Sequence, residues 1–247
     1  MRTAIQLYTL RSLDEPLTAT LERVGRTSLD GVEFAGLGRQ DPSTLATLPD
    51  ELDLEAVGAH VSLADLEESY DRTVDTYDKL GCPRLVVPSY AAEAFESREG
   101  VDEAAARLST VGERLADDGF ECHYHTHHFE FEPLGDGTAF DRLAARTAGA
   151  VAFELDTGLA RHAGADPAAL LDEYGERVSL VHLTDAPADP QGSLHADPGT
   201  GIVDLAGCAA AARGAGAEWL IGEHGGSTAP LETLERIDAT LATLSAP

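Results

Sequence analysis

Strand-like segments alternate with helical ones along this chain, and the alternation repeats about eight times. The strand signals are Ala4–Tyr8, Gly31–Phe34, Ala56–Val61, Arg84–Pro88, Phe120–His125, Ala150–Asp156, Ser179–Leu183 and Trp219–Gly222. Helical stretches between them are Pro16–Gly25, a short one opened by Asp41-Pro42, Leu63–Leu80, Val101–Ala116, Ala139–Ala145, Pro167–Tyr174 and Asp204–Arg213. Leu231–Leu244 forms the last helix. Gly81 and Gly214 are read as stops. Strands that alternate with helices imply a parallel sheet, because parallel neighbours need a crossover long enough to hold a helix. The segment Arg84–Pro88, RLVVP, is short and apolar throughout, as a strand covered on both faces should be. Eight such units in 247 residues fit a closed (β/α)8 barrel better than an open sheet. No break in composition marks a second domain, so 1–247 is expected to be one α/β barrel domain.

The charge balance narrows the partners. Formal net charge is −27, and Lys79 is the only lysine. A surface this acidic repels nucleic acid phosphates. Asp and Glu are spread along the whole chain, so the acidity is no tail, and concentrated salt would screen its self-repulsion. A halophilic source is therefore expected. Cys82, Cys122 and Cys208 lie far apart with no CxxC, which implies buried thiols and no structural zinc site. No apolar run reaches membrane-spanning length, and MRTAIQLY lacks the order of a signal peptide, so a cytoplasmic protein is expected.

Chemistry concentrates in Phe120–Pro133, FECHYHTHHFEFEP, where His123, His125, His127 and His128 are followed by Glu130 and Glu132. Alternation puts His123, His125 and His127 on one side of an extended chain. The residues at or next to the eight strand ends are Tyr8, Glu33, His60, Tyr90, His125, Asp156, His182 and Glu223. In a barrel these ends converge on one mouth, where active sites lie. Two imidazoles and two carboxylates from four consecutive strands, His125, Asp156, His182 and Glu223, can hold a divalent cation. Their mixed nitrogen and oxygen donors suit Mn, Zn or Co better than Mg or Ca. Such a cation can polarise a carbonyl and stabilise an enediolate, with Glu223 taking a proton from carbon. Plainer roles compete: a helix N-cap for Asp156, a buried backbone-bonded histidine for His182, an incidental polar strand position for Glu154. His195 and Asp197 belong either to an exposed acidic loop or to one that closes over the mouth.

Tyr124–Phe131, YHTHHFEF, resembles the YHNHDFEF motif of one branch of the sugar phosphate isomerase/epimerase group, whose fold is the xylose isomerase-like barrel. Glu154-Leu155-Asp156, Val181–Asp185 (similar to VHLKD), Pro198–Asp204 and Trp219–His224 add matches in the same order. The resemblance implies a metal-dependent isomerase or epimerase of a small sugar or keto-sugar. It implies a metal held by Glu, Asp, His and Glu at the ends of strands five to eight. Asp156, His182 and Glu223 match by type; His125 stands where relatives carry the Glu that doubles as a second proton-transfer base. A one-base shuttle or an elimination is then implied, with His125 or His127 as acid. Tyr8, Glu33, His60, Glu130 and Asp185 are the implied substrate contacts, Glu130 alternatively orienting His125 or His127. Thr126, His128, Leu159 and Thr184 replace Asn, Asp, His and Lys of relatives. The Leu159 change and the charge argue against an apurinic endonuclease. A metal-dependent lyase or dehydratase and a non-catalytic sugar-binding barrel remain rival expectations. A homodimer is possible in such a group.

Overall fold

The computed structural model describes residues 1–147, 149–189 and 194–245. Its centre is a closed barrel of eight parallel strands: β1 (Arg2–Gln6), β2 (Gly31–Phe34), β3 (Glu55–His60), β4 (Arg84–Val87), β5 (Glu121–His125), β6 (Ala152–Asp156), β7 (Val178–His182) and β8 (Trp219–Gly222). Each pairs with its chain neighbours, and β8 closes on β1 through Arg2↔Trp219 to Ile5↔Gly222. An antiparallel pair, Pro133–Leu134 with Gly137–Thr138, lies outside the barrel after β5. None of the described helices is long and apolar enough to cross a membrane.

Two packing layers hold the barrel. The larger core lies between strands and helices and includes Phe34, Leu85, Tyr124, Phe140 and Phe153. A separate cluster, Ala4, Val57, Val86, Leu180, Trp219 and Ile221, plugs the barrel's interior. Above that plug, toward the strands' C-terminal ends, the interior turns polar: Gln6, Glu33, His123, His125, Glu154, Asp156 and His182 are all buried.

Most boundaries fall within two residues of the sequence reading, and several of the differences have local causes. β1 ends at Gln6, not Tyr8, because the Gln6 side chain accepts the Tyr8 N–H (3.1 Å) and starts a 3-10 turn, Leu7–Leu10. The helix expected over Leu63–Leu80 is two, Leu63–Glu68 and Tyr70–Lys79; the break at Ser69 lets Tyr70 tuck inward and donate to the Arg114 carbonyl and to Asp118. The helix Leu205–Ala215 runs past Gly214 and stops at Gly216, whose φ of 83° is the left-handed cap that glycine adopts freely. Asp41 caps Pro42–Leu45 as expected, accepting from Ser43 N. A further helix, Thr157–His162, follows β6 directly. Part of the loop read over Thr184–Gly201, residues 190–193, lies outside the described residues.

Two register irregularities shape the interior. Pairing of β2 with β3 passes from Ala56 to Gly58, and that of β6 with β7 from Val178 to Leu180, leaving Val57 and Ser179 as extra residues. An extra residue reverses the face of everything beyond it. Val57 and His60, three apart, therefore both face inward, and Ser179 Oγ reaches His123 Nε2 at 2.7 Å.

Candidate metal centre at the barrel mouth

His125, Asp156 and His182 close strands β5, β6 and β7, and Glu223 follows β8. One donor atom of each lies within 4.8 Å of the others. Asp156 performs the plainer role weighed above without being exhausted by it. Its Oδ1 caps the following helix, accepting Leu159 N–H at 2.7 Å and the Thr184 hydroxyl at 2.5 Å. Its Oδ2 is buried with no hydrogen-bond partner. A buried carboxylate oxygen left unpaired is costly, and here it belongs to a set of donors spaced to share a cation. Thr184 holds Asp156 and also accepts Gly158 N–H at 2.8 Å; a Cβ on Gly158 would sit 2.5 Å from the Thr184 hydroxyl, so this close approach needs glycine.

Beneath the mouth lies a second layer that sequence reasoning undervalued. Glu154 is fully buried, and three imidazoles converge on its Oε2: His125 Nδ1 at 2.7 Å, His60 Nε2 at 2.9 Å and His182 Nε2 at 3.1 Å. Glu33 Oε2 accepts from His182 Nε2 (2.8 Å) and Gln6 Nε2 (2.7 Å). The other side of His182, Nδ1, faces Glu223 Oε2 at 3.0 Å. Both nitrogens of His182 thus meet carboxylates. Burial opposes its charged form, but Glu154 and the hydrogen bonds outweigh burial and raise its pKa well above the ordinary value. The same balance lifts His60 to about 10, through Glu33 and Glu154 against burial. Glu154 and Glu223 are held below the usual carboxylate range, burial again being overcome, chiefly by His182. His60, His125, Glu154 and His182 form a second group whose donor atoms lie within 4.8 Å. Alternation offered the missed signal: Glu154 precedes Asp156 by two and shares its face of the strand.

The mouth opens into a cavity of about 380 Å³, lined among others by Tyr8, His125, His127, Leu159, Leu194 and Glu223. Tyr8 is 44% exposed there. His127 stacks on Phe129 (5.2 Å, 11°), and burial, with the nearby His125, lowers its pKa to about 3, so it faces the cavity as a neutral ring. His195 also lines the cavity, its Nδ1 accepting Gly225 N–H at 2.7 Å. Other expected substrate contacts are turned elsewhere. Glu33 lies wholly in the buried layer, with His60 over it. Asp185 is buried and accepts N–H groups of Ala186, Gly199, Gly201 and Val203, so it shapes the loop and offers nothing to a substrate. Tyr90, read above only as a residue next to a strand end, packs edge-on against Phe95 and accepts from Arg107.

Glu130 is likewise no substrate contact: it is buried, accepts the Tyr124 hydroxyl at 2.5 Å and His127 N–H at 2.9 Å, and so fixes the loop carrying His127. Burial raises its pKa to about 7 against these hydrogen bonds. A folded pKa above the unfolded value means that the folded state holds the extra proton, so stability falls as pH rises from about 4.5 to 7. Glu130→Gln removes the titration. Denaturant unfolding at several pH values is expected to show wild type losing roughly 3 kcal/mol relative to the variant across that range, at about 1.4 kcal/mol per pKa unit. Parallel profiles would contradict it.

A closed parallel barrel with a polar, metal-competent mouth defines the class of protein. The sequence matches the family model described as xylose isomerase-like TIM barrel over residues 37–244, and the chain belongs to that family. Among solved structures, a sugar phosphate isomerase/epimerase from Parabacteroides distasonis superposes with a TM-score of 0.81 at 20% identity, covering 100% of this chain and 94% of its own. The IOLI protein with a bound zinc atom gives 0.79 at 14% identity, over 99% and 98% of the two chains. A probable 3-DHS dehydratase, AsbF, from Bacillus anthracis gives 0.77 at 15% identity, over 100% and 99%. No curated protein matches the sequence.

Proposed function

We propose that this barrel is a divalent-metal-dependent isomerase or epimerase of a small sugar or keto-sugar, working through an enediolate. The observation that carries the reading is the unpaired, buried Asp156 Oδ2 within 4.8 Å of donor atoms of His125, His182 and Glu223. Those four residues would hold the ion, and their mixed donors suit Mn, Zn or Co. A bound divalent cation supplies Lewis acidity, polarising the substrate carbonyl and stabilising negative charge on its oxygen. His182 must give up the proton it shares with Glu223 to serve through Nδ1, so metal affinity rises with pH. Glu223 lines the cavity and is the base for the proton on the carbon beside the carbonyl. Glu154 fixes the tautomer of His125 by accepting from its Nδ1, which leaves Nε2 as the working nitrogen. With His125 engaged as a ligand, the acid role passes to His127, which donates as a neutral imidazole.

A second reading, a metal-dependent lyase or dehydratase, is favoured by one feature. Glu223 is the only carboxylate lining the cavity among the described residues, whereas two-base epimerisation calls for opposed bases. Elimination yields an unsaturated carbonyl that absorbs in the ultraviolet; isomerisation does not, and product spectra separate the two.

Metal analysis of the purified protein beside Asp156→Asn tests the site. The amide keeps an oxygen for the helix cap while removing the ligand's charge. Metal per chain is expected to fall at least tenfold in the variant with the fold intact. Equal metal in both would overturn the assignment.

A further inference from the structure

Beside the mouth lies a second cavity of about 410 Å³, between the turn after β1 and the loop after β2. Tyr8 lines both cavities, so the two are neighbours at that residue. Among the described residues, none that lines the mouth is Arg or Lys. The second cavity has two cations, Arg11 and Arg39. Arg11 is held in place: it stacks on Tyr8 with its guanidinium 3.7 Å from the ring centroid and donates to the backbone carbonyls of Tyr8 and Gly225. Neither Arg11 nor Arg39 forms an ion pair with a carboxylate among the described residues, in a chain where acids outnumber bases 44 to 17. Among the described residues the one carboxylate that lines the cavity, Glu15, is already neutralised by Arg23 through contacts of 2.9, 3.0 and 2.9 Å. Gln40 also lines it, and its buried Oε1 accepts from no donor. This places an acceptor for a hydroxyl beside two cations for an anion, next to Tyr8, one ring face of which is covered by Arg11.

We propose that the substrate has two parts. Its reacting carbonyl unit sits at the metal site, and a second unit, hydroxylated and carrying a carboxylate or phosphate, passes Tyr8 into the Arg11–Arg39 cavity. This rests on the proposed sugar chemistry of the mouth, yet it deepens it: the protein selects an anionic sugar derivative through an anion site set apart from the reacting carbons. Guanidinium groups recognise carboxylate and phosphate alike, so the shared chemistry is an oxyanion on a polyol.

Calorimetric titration with glucose, glucuronic acid and glucose 6-phosphate tests it, on wild type, Asp156→Asn, Arg39→Ala and Arg39→Lys. Asp156→Asn separates the two sites: anion preference that persists there does not depend on the metal reading. At least one charged probe is expected to bind tenfold or more tighter than glucose in wild type and in Asp156→Asn. The preference should shrink to within twofold in Arg39→Ala and be largely retained in Arg39→Lys. Whichever charged probe binds tighter identifies the anion as carboxylate or phosphate. Charged probes binding no tighter than glucose, or a preference that survives Arg39→Ala, would overturn the proposal. Arg39 is exposed and bonds to no described residue, so its loss leaves the fold intact.

Discussion

Glu154→Ala is expected to lower the unfolding free energy by about 3–5 kcal/mol, the cost of removing one partner from a buried ion pair. His60 and His182 would be left charged or desolvated around an empty space, and His125 would lose the acceptor that fixes its ring. Glu154→Gln should cost less, because the amide fills the space and keeps an acceptor oxygen. The sign with pH is fixed by His60. Its folded pKa of about 10 lies above the unfolded value, so its share of stability is complete below about pH 6.5 and is lost as pH rises through 10. The gap between wild type and Glu154→Ala in urea unfolding should therefore narrow from pH 7 toward 10. A loss under about 1 kcal/mol at pH 7 would mean that this carboxylate does not hold the layer together.

The second large effect is on turnover. Glu223→Gln keeps an oxygen for His182 and the shape of the mouth, but an amide cannot take a proton from carbon. Under the proposed chemistry kcat should fall by about 10²–10⁴, the usual contribution of a positioned base, with KM changed far less. Incorporation of solvent deuterium at the substrate carbon should vanish in parallel. Turnover within tenfold of wild type would remove Glu223 from the base's role and send the search to His125 and His127.

The barrel was legible because its evidence is repeated. Eight strand signals, each followed by a helical stretch, over-determine a closed parallel sheet even where single boundaries are wrong, as at Tyr8 and Ser69. The mouth set was legible for a related reason: His125, Asp156, His182 and Glu223 stand at strand ends, and a closed barrel brings strand ends together. The buried layer was not. Glu33 reads as a substrate contact at a strand end and Glu154 as an incidental polar position; alternation puts Glu154 on the face of Asp156, but the three imidazoles that meet it come from other strands. Asp185 misled in the opposite direction, and Glu130 took the orienting role toward His127 and not the substrate one. Both sit in the right motifs, but their partners are backbone N–H groups and a tyrosine hydroxyl, which only the folded loops supply. Leu159 and Thr184 read as losses from a familiar pattern. In the folded chain one lines the cavity and the other braces Asp156.

The extra residue at Val57 bears on whether such a site can be transplanted. In an ideal strand Val57 and His60 would point to opposite faces, one to the plug and the other to the helices. The slip against β2 lets β3 supply an oily residue to the barrel's floor and an imidazole to its buried polar layer. A designer could copy every polar side chain of this interior into a barrel of regular strands and still find the imidazole on the outside. What would have to be copied is the irregularity, so the inheritable unit of this interior is a stretch of misregistered backbone as much as a set of residues.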